Sequence, residues 1–254
     1  MTNSNQIIRN YNFYIVIIGT EILNGRRQDK HFEFVKNELA KYGHELFASF
    51  IIKDDINLIT KTYNMIKKDK DAVMFSFGGI GSTPDDLTRE IASKVFRNSS
   101  LKTHEKFKED VIKQFGDSAY PHRIHMADLP PDVDLLFNPI NNMSGFSIDQ
   151  RFFFVPGFPS MAHPMIEKTI EKNFSHTTQK YRYTLLAKTS EETLITLMQT
   201  LPQSVELSSL PIFIDGKPNV ELSLSGTHKN EIEHYFKLFI NELKKKHIYY
   251  KIKE

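Results

Sequence analysis

The 254-residue sequence predicts an α/β protein: a mostly parallel three-layer α/β/α sheet over residues 1–175, then a second, small α+β domain over residues 181–254. Three observations predict it. Short apolar runs at residues 13–18, 46–52 and 72–77 alternate with stretches whose apolar residues recur every three or four positions, the pattern of successive β-α units. The first run, Phe-Tyr-Ile-Val-Ile-Ile, is unbroken and stops at Gly19, as suits a strand buried on both faces of a parallel sheet. A polar stretch at residues 174–180, Phe-Ser-His-Thr-Thr-Gln-Lys, then separates this pattern from a different one.

Taken in order, the first strand feeds a loop, Gly19-Thr-Glu-Ile-Leu-Asn-Gly25, in which Glu21 is either a site residue or a solvated acid. A helix follows from Asp29, with Phe32, Val35, Leu39 and Tyr42 on one face and Gly43 as its stop. Residues 46–52 form the second strand, closed by Lys53-Asp54-Asp55. Asp55 is placed to cap a helix whose buried face carries Ile56, Ile59, Tyr63 and Ile66, which leaves Asp54 for chemistry. The third strand, residues 72–77, enters a glycine turn, and right-handed crossovers put Glu21, Asp54, Asp85 and Asp86 on one edge of the sheet. Residues 101–115 read as a helix and 120–131 as irregular. Residues 135–137 and 151–155 extend the sheet, antiparallel in part, and Pro156-Gly-Phe-Pro159 turns into a helix over 160–171. Beyond the polar stretch, residues 183–187 are strand-like, and Thr189-Ser-Glu-Glu192 fits a capping box before Leu194, Leu197, Met198 and Leu201. Asp215-Gly216 signals a hairpin, residues 220–225 alternate, and a long helix carries Ile232, Phe236, Phe239 and Leu243. The expected unit is βαββα, its sheet covered on one side by two helices.

The stretch Gly78-Gly-Ile-Gly-Ser-Thr-Pro-Asp-Asp-Leu-Thr88 carries the chemistry. Three glycines in four residues let the backbone approach a ligand without Cβ interference, and the dipole of the helix behind them favours an anion. Thr83 reads as an N-cap and Pro84 as the first helical residue, which places Asp85 and Asp86 in the first turn. Two readings of these acids stand. Either they complement the helix dipole, or a divalent cation lies between them and a phosphate they would otherwise repel. The candidate phosphate or ligand contacts are Gly78, Gly79, Gly81, Ser82, Thr83, Thr88 and Gly157, and the candidate metal ligands are Glu21, Asp54, Asp85 and Asp86. The Gly-Lys-Ser/Thr tail of a P-loop is missing.

Bulk properties exclude several classes. Lys+Arg 33 against Asp+Glu 31 gives a net charge of +2, so nothing demands nucleic acid, and the basic end around Lys244 and Lys251 reads as an ordinary helix terminus. With no cysteine there is no disulfide, thiolate metal site or cysteine nucleophile. The start lacks a signal-peptide pattern and no apolar run approaches the ~18 residues of a membrane span. No nucleic acid, no membrane and a cytoplasmic setting are expected.

Gly19-Thr-Glu-Ile-Leu-Asn-Gly25, Lys53-Asp-Asp55, the glycine-turn motif and Pro156-Gly-Phe-Pro-Ser160 occur in the order seen in the molybdopterin-binding, MoaB/MogA-like domain of the CinA competence/damage-inducible family, which the chain resembles over residues 12–172. Ser190-Glu191 and Ser208-Ser-Leu-Pro-Ile-Phe213 resemble the small domain that follows it in CinA proteins and in eukaryotic FAD synthases. The resemblance implies either of two activities. CinA-type members hydrolyse nucleotide pyrophosphates such as ADP-ribose, with FAD as the substrate of the FAD-synthase relatives, using a divalent metal (Mg, Mn or Co) and potassium. Molybdenum-cofactor members bind and adenylylate a pterin phosphate. A non-catalytic nucleotide-binding or scaffold protein is the third alternative. The partner the resemblance implies is a small-molecule nucleotide or pterin ligand, held by a homo-oligomer. Asp54 and Asp86 match the family's functional acids and are the expected catalytic pair. Full-length CinA also carries a nicotinamide mononucleotide deamidase domain, for which this chain leaves no room, so no deamidase is expected. Thr20, His31, Ser82, Met161 and Asn141-Asn-Met-Ser144 depart from the usual pattern around the ligand edge. His31 offers a metal ligand or a ribose contact, against the commoner reading of a solvated helix-start histidine.

Overall fold

The computed structural model describes residues 11–175 and 180–253. The chain divides into two compact units between Thr177 and Thr178. In the first, β1 (Asn12–Ile18) leads through a helical turn, α1 (Thr20–Leu23), where a plain loop was expected, to α2 (His31–Ala40). Next come β2 (Leu46–Ile52), α3 (Ile56–Lys68), β3 (Ala72–Phe77) and α4 (Thr88–Ala92), the last continuing as a π-helical turn over Ser93–Arg97. A two-stranded ribbon of β4 (Lys102–Thr103) and β5 (Asp128–Leu129) encloses α5 (Glu105–Phe115) and two 3-10 turns. β6 (Asp134–Leu136), β7 (Gly145–Ile148), β8 (Phe152–Val155) and α6 (Pro159–Phe174) complete the unit.

The main sheet has the order β2-β1-β3-β8-β7-β6. β2, β1, β3 and β8 run parallel, while β7 and β6 are antiparallel. Alternate residues of β1 enter opposite cores. Tyr14, Val16 and Ile18 pack with α3, α4 and α5, and Phe13, Ile15 and Ile17 pack with α2 and α6. Sheet and helices thus form the three layers expected of an α/β fold with both faces covered. The parallel register also aligns the strand ends: Gly19 N donates to Ile52 O and Gly78 N to Val155 O, each at 3.0 Å. The loops after β1, β2, β3 and β8 therefore leave the same edge.

Several expectations are corrected. The helix of residues 101–115 begins only at Glu105, because residues 102–103 pair with β5. Asp29 accepts from the amides of His31 and Phe32, so the inward face of α2 is His31, Val35, Glu38 and Leu39, and Phe32 is left 42% exposed. Asp55 does cap α3, accepting from Leu58 N, yet Ile56 lies outside the buried face of Ile59, Tyr63 and Ile66. Thr83 and Pro84 do not open a helix: α4 starts at Thr88, and Asp85 and Asp86 belong to the turn before it.

In the second unit, β9 (Tyr181–Ala187) is followed by a short 3-10 turn and α7 (Ile195–Met198), then β10 (Glu206–Ile214), β11 (Lys217–Gly226), α8 (Lys229–Lys245) and β12 (Tyr250–Lys253). The antiparallel order is β10-β11-β9-β12, with the Asp215-Gly216 hairpin joining β10 to β11. The expected capping box does not form: Ser190 makes no side-chain cap, and the Thr189 hydroxyl meets that of Thr193 at 2.7 Å. Lys244 and Lys245 do close α8 as its basic last turn, but a fourth strand that was not expected follows, since Tyr250 and Ile252 pair with Ala187 and Leu185 of β9.

Candidate ligand cleft

Along the carboxyl edge of the parallel strands lies a cleft of about 480 Å³, within the usual range of small-molecule sites. Glu21, Asp54, Gly78, Gly79, Gly81, Ser82, Thr83, Asp85, Asp86 and Gly157 all line it. Of the expected site residues only Thr88 is not on its wall. That side chain is fully buried behind the glycine loop, where its Oγ1 donates to Gly78 O and its amide to Gly79 O, both at 2.9 Å.

The glycines are needed for geometry. Gly78 and Gly79 have φ of 97° and 69°, and a Cβ on Gly78 would stand 2.5 Å from the carbonyl oxygen of Ile18. A carbonyl turned into the protein needs a donor there. Thr88 serves Gly78 and Gly79, and Arg89 serves Gly81, its Nη2 donating to Gly81 O at 2.6 Å. Nη1 of Arg89 donates to Asp128 O at 3.0 Å and to His125 O, which ties the loop to the segment bearing Arg123 and Met126. With those carbonyls engaged, the Gly78 amide given to Val155 O and the Thr83 amide to Asp86, the amides of Gly79, Ile80, Gly81 and Ser82 remain for a ligand, and amides suit an anion. The helix-dipole contribution expected here is weak, because the helix starts only at Thr88, beyond the glycines, and its first amide is already given to Gly79 O.

Two acids are held alike. Asp54 Oδ2 accepts from the amide and hydroxyl of Thr20, at 2.9 and 2.8 Å. Asp86 Oδ2 accepts from the amide and hydroxyl of Thr83, at 2.7 and 2.6 Å. A threonine thus sets each carboxylate through one oxygen, and the Thr20 side chain supplies one of the two bonds to Asp54. Glu21 folds back so that its Oε2 is 3.0 Å from where a Gly19 Cβ would stand. Among the described residues no group of three or more His, Asp or Glu could hold a metal by itself. The charged donors on the wall are carboxylates, and a Mg²⁺-like ion commonly takes one or two carboxylates and completes its shell with phosphate and water. The residues fit that use and no richer one.

Residues the sequence did not flag form the rest of the cleft. Arg27 and Arg123 bring positive charge, with the Arg27 guanidinium 5.7 Å from the Phe158 ring centre and that of Arg123 4.8 Å from the Phe115 ring. Met126, Met143 and Met161 add a soft apolar wall, and Asn141 Nδ2 lies 3.7 Å from Met161 Sδ. Arg27, Arg123, Met126, Asn141 and Met143 come from loops and a 3-10 turn, where periodicity carries no signal, and Met161 from the first turn of α6. Only the departures at Asn141, Met143, Ser144 and Met161 pointed there. His31, read either as a metal or ribose contact or as a solvated helix-start residue, is instead buried behind Gly157 and off the cleft wall.

In an open α/β sheet, ligands bind in the crevice outside the carboxyl ends of the strands, which is where this cleft lies. The profile of the family described as a probable molybdopterin binding domain matches residues 14–176, and the chain belongs to that family. Its relatives include a CinA-like protein of Fusobacterium nucleatum, 31% identical over 159 residues, or 62% of this chain and 39% of that protein. A CinA-like protein of Acaryochloris marina is 29% identical over 162 residues, 61% of this chain and 38% of its own. The chain therefore spans about two fifths of the length of these relatives. The crystal structure of the protein CinA from Thermoplasma acidophilum superposes with a TM-score of 0.58 at 26% identity, covering 65% of this chain and 98% of that one. The resemblance to the CinA type of MoaB/MogA-like domain thus holds for the first unit. No helix among the described residues is long and apolar enough to cross a membrane.

Proposed function

We propose that the cleft binds a phosphate-bearing compound with a planar heteroaromatic ring and hydrolyses a nucleotide pyrophosphate of the ADP-ribose or FAD type with a divalent metal. The observation that carries this is the pairing of opposite charges on one wall: Glu21, Asp54, Asp85 and Asp86 beside Arg27, Arg123 and the glycine amides. Acids alone would repel a pyrophosphate and arginines alone would need no metal. Both together suit a metal–pyrophosphate. A bound divalent ion would neutralise phosphate charge and acidify water. The protein's own part is to seat one phosphate on the amides of the glycine loop, neutralise another with Arg27 or Arg123, and offer the ring the faces of Phe115 and Phe158. Asp54 and Asp86, each held through Oδ2, have a second oxygen for the metal or for the proton of the attacking water. Addition of that water across the P–O–P bond yields two phosphomonoesters.

The family match favours a second reading, in which the same loop holds the phosphate of molybdopterin. One assay separates them. Purified protein is incubated with ADP-ribose and FAD under Mg²⁺, Mn²⁺ or Co²⁺, with and without K⁺, and AMP release is followed, with chelator as control. Metal-dependent AMP release is the expected result. Saturable binding of a pterin phosphate with no nucleotide cleavage would move the function to the second reading, and neither would refute both.

A further inference from the structure

Behind the cleft, two histidines are packed ring to ring, each with one buried nitrogen that has no partner. His31, 3% exposed, stacks on Phe77 with ring centres 4.2 Å apart, and its Nε2 lies 3.3 Å from Gly157 O. A carbonyl only accepts, so Nε2 carries the proton and Nδ1, the unpartnered atom, is bare. His163, on α6, meets His31 edge-on at 5.3 Å and stacks on Phe34 at 3.8 Å, and its Nε2 is the second unpartnered atom.

The place of His31 gives this a purpose. Phe77 immediately precedes Gly78, and Gly157 follows β8. The two loops touch there, since a Cβ on Gly157 would lie 3.4 Å from Gly78 Cα. One imidazole therefore grips both ligand loops from behind, by a stack on one and a hydrogen bond to the other. We propose that His31 is the positioning residue that registers the glycine loop against the Pro156-Gly-Phe158 turn, and that only its neutral, Nε2-protonated form does so. This rests on the assignment of both loops to the ligand.

The surroundings disfavour a second proton. The charged groups acting on the pair are Asp29 and Lys30 before α2 and Glu38 on α2, while α6 brings His163 itself, and Phe77 and Gly157 bring none. Asp29 already accepts from the amides of His31 and Phe32, and Glu38 is paired with Lys41. Burial accordingly lowers the pKa of His31 and pushes that of His163 down to about 4. A protonated Nδ1 would be a buried donor without a hydrogen-bond partner; the Gly157 bond and the Asp29 charge favour that proton, but burial outweighs them.

The test reads the loops directly, in the full chain and without ligand, so that its outcome and that of the nucleotide assay are independent. Amide ¹H–¹⁵N spectra are recorded across pH for Gly78 and Phe158, together with the Cε1 proton of His31 and the exchange rate of the Gly78 amide. In the wild type both amides should shift in step with His31, with a midpoint below 6.5, the ordinary histidine value. His31→Phe keeps the stack but not the donor. It should flatten that shift and speed Gly78 exchange roughly tenfold, the worth of one ordinary hydrogen bond. His31→Gln, which can still donate to Gly157 O, should restore protection while remaining flat with pH, and His163→Phe should leave the titration in place. Unchanged shift and exchange in His31→Phe would overturn the proposal, as would a titration that disappears in His163→Phe. Should His31→Phe fail to fold, His31→Gln decides alone: loops that still titrate in it refute the role.

Discussion

Replacing Gly78 with alanine tests the physical basis of the glycine loop. Its φ of 97° is open to glycine but costs an L-residue about 1–2 kcal/mol. The new Cβ would also stand 2.5 Å from the oxygen and 3.5 Å from the carbon of the Ile18 carbonyl. Ile18 cannot retreat, because β1 is paired on both sides and Gly19 N is bonded to Ile52 O. Overpacking of this kind costs about 1–3 kcal/mol. The sum, about 2–5 kcal/mol, is a large share of the ~5–15 kcal/mol that holds a typical domain. Gly81→Ala is the control. The nearest atom to its Cβ is Asp86 Oδ2, at 2.6 Å, the end of a side chain that can swing away. The fold should lose less than ~1 kcal/mol, while Asp86 is pushed off Thr83 and out of place in the cleft. Urea unfolding followed by circular dichroism, at constant m-value, measures the first quantity, and nucleotide turnover reports the second. Gly78→Ala unfolding within ~0.5 kcal/mol of wild type would show that the loop is not pressed against β1, and would remove the argument that glycine is required there.

Three further outcomes follow from the same geometry. Asp86→Asn should lower turnover of a confirmed substrate by about 10²–10⁴ with little change in melting temperature, and near wild-type turnover would shift the catalytic role to Asp54. Arg89→Met would leave the carbonyls of Gly81 and Asp128 without their donor, at about 1–3 kcal/mol for each buried group, so a variant that melts with the wild type would refute the strut. His163, at about 4 against an ordinary 6.5, refuses in the folded chain a proton that the unfolded chain accepts, so its contribution is present above 6.5 and is lost as pH falls towards 4. Denaturant curves at pH 7 and pH 5 should show a smaller acid loss for His163→Phe than for wild type, and equal losses would count against a neutral His163.

The strands that build the ligand edge were readable because each is a closed apolar run between residues that stop it. β1, β2 and β3 lie where the runs ending at Ile18, Ile52 and Phe77 put them. The acids followed from their position after those strands. The start of α4 was not readable, because Thr-Pro-Asp-Asp satisfies the local rules for a helix N-terminus and for a turn equally well. The choice is made by contacts outside the segment: Thr88 is drawn to Gly78 O and Arg89 to Gly81 O, so the helix begins at Thr88 and the acids stay in the turn. The capping box at residues 189–192 failed for a different reason. The helix behind it is only four residues long, so Thr189 finds the hydroxyl of Thr193 instead of an amide of a first turn.

The residues least visible beforehand, Arg89 and His31, share one cause. Periodicity counts apolar side chains as inward and charged ones as outward, yet a strand-to-helix turn made of glycine brings no side chains of its own to satisfy the carbonyls it buries. Those donors must come from the next polar residues in space, here Thr88 and Arg89 from the following helix and His31 from another layer, and each then reads as an exception to its pattern. The same division separates the two ends of the cleft. The glycine loop is held by side chains in the protein behind it, whereas Asn141, Met143 and Met161 line another wall, where Asn141 Oδ1 accepts from the Met143 amide of its own turn and none of the three bonds to the glycine loop. Under the proposed function the phosphate end is therefore constrained by the fold, and discrimination among ring systems falls to that soft wall, where a substitution can change the ligand without disturbing the loop that holds its phosphate.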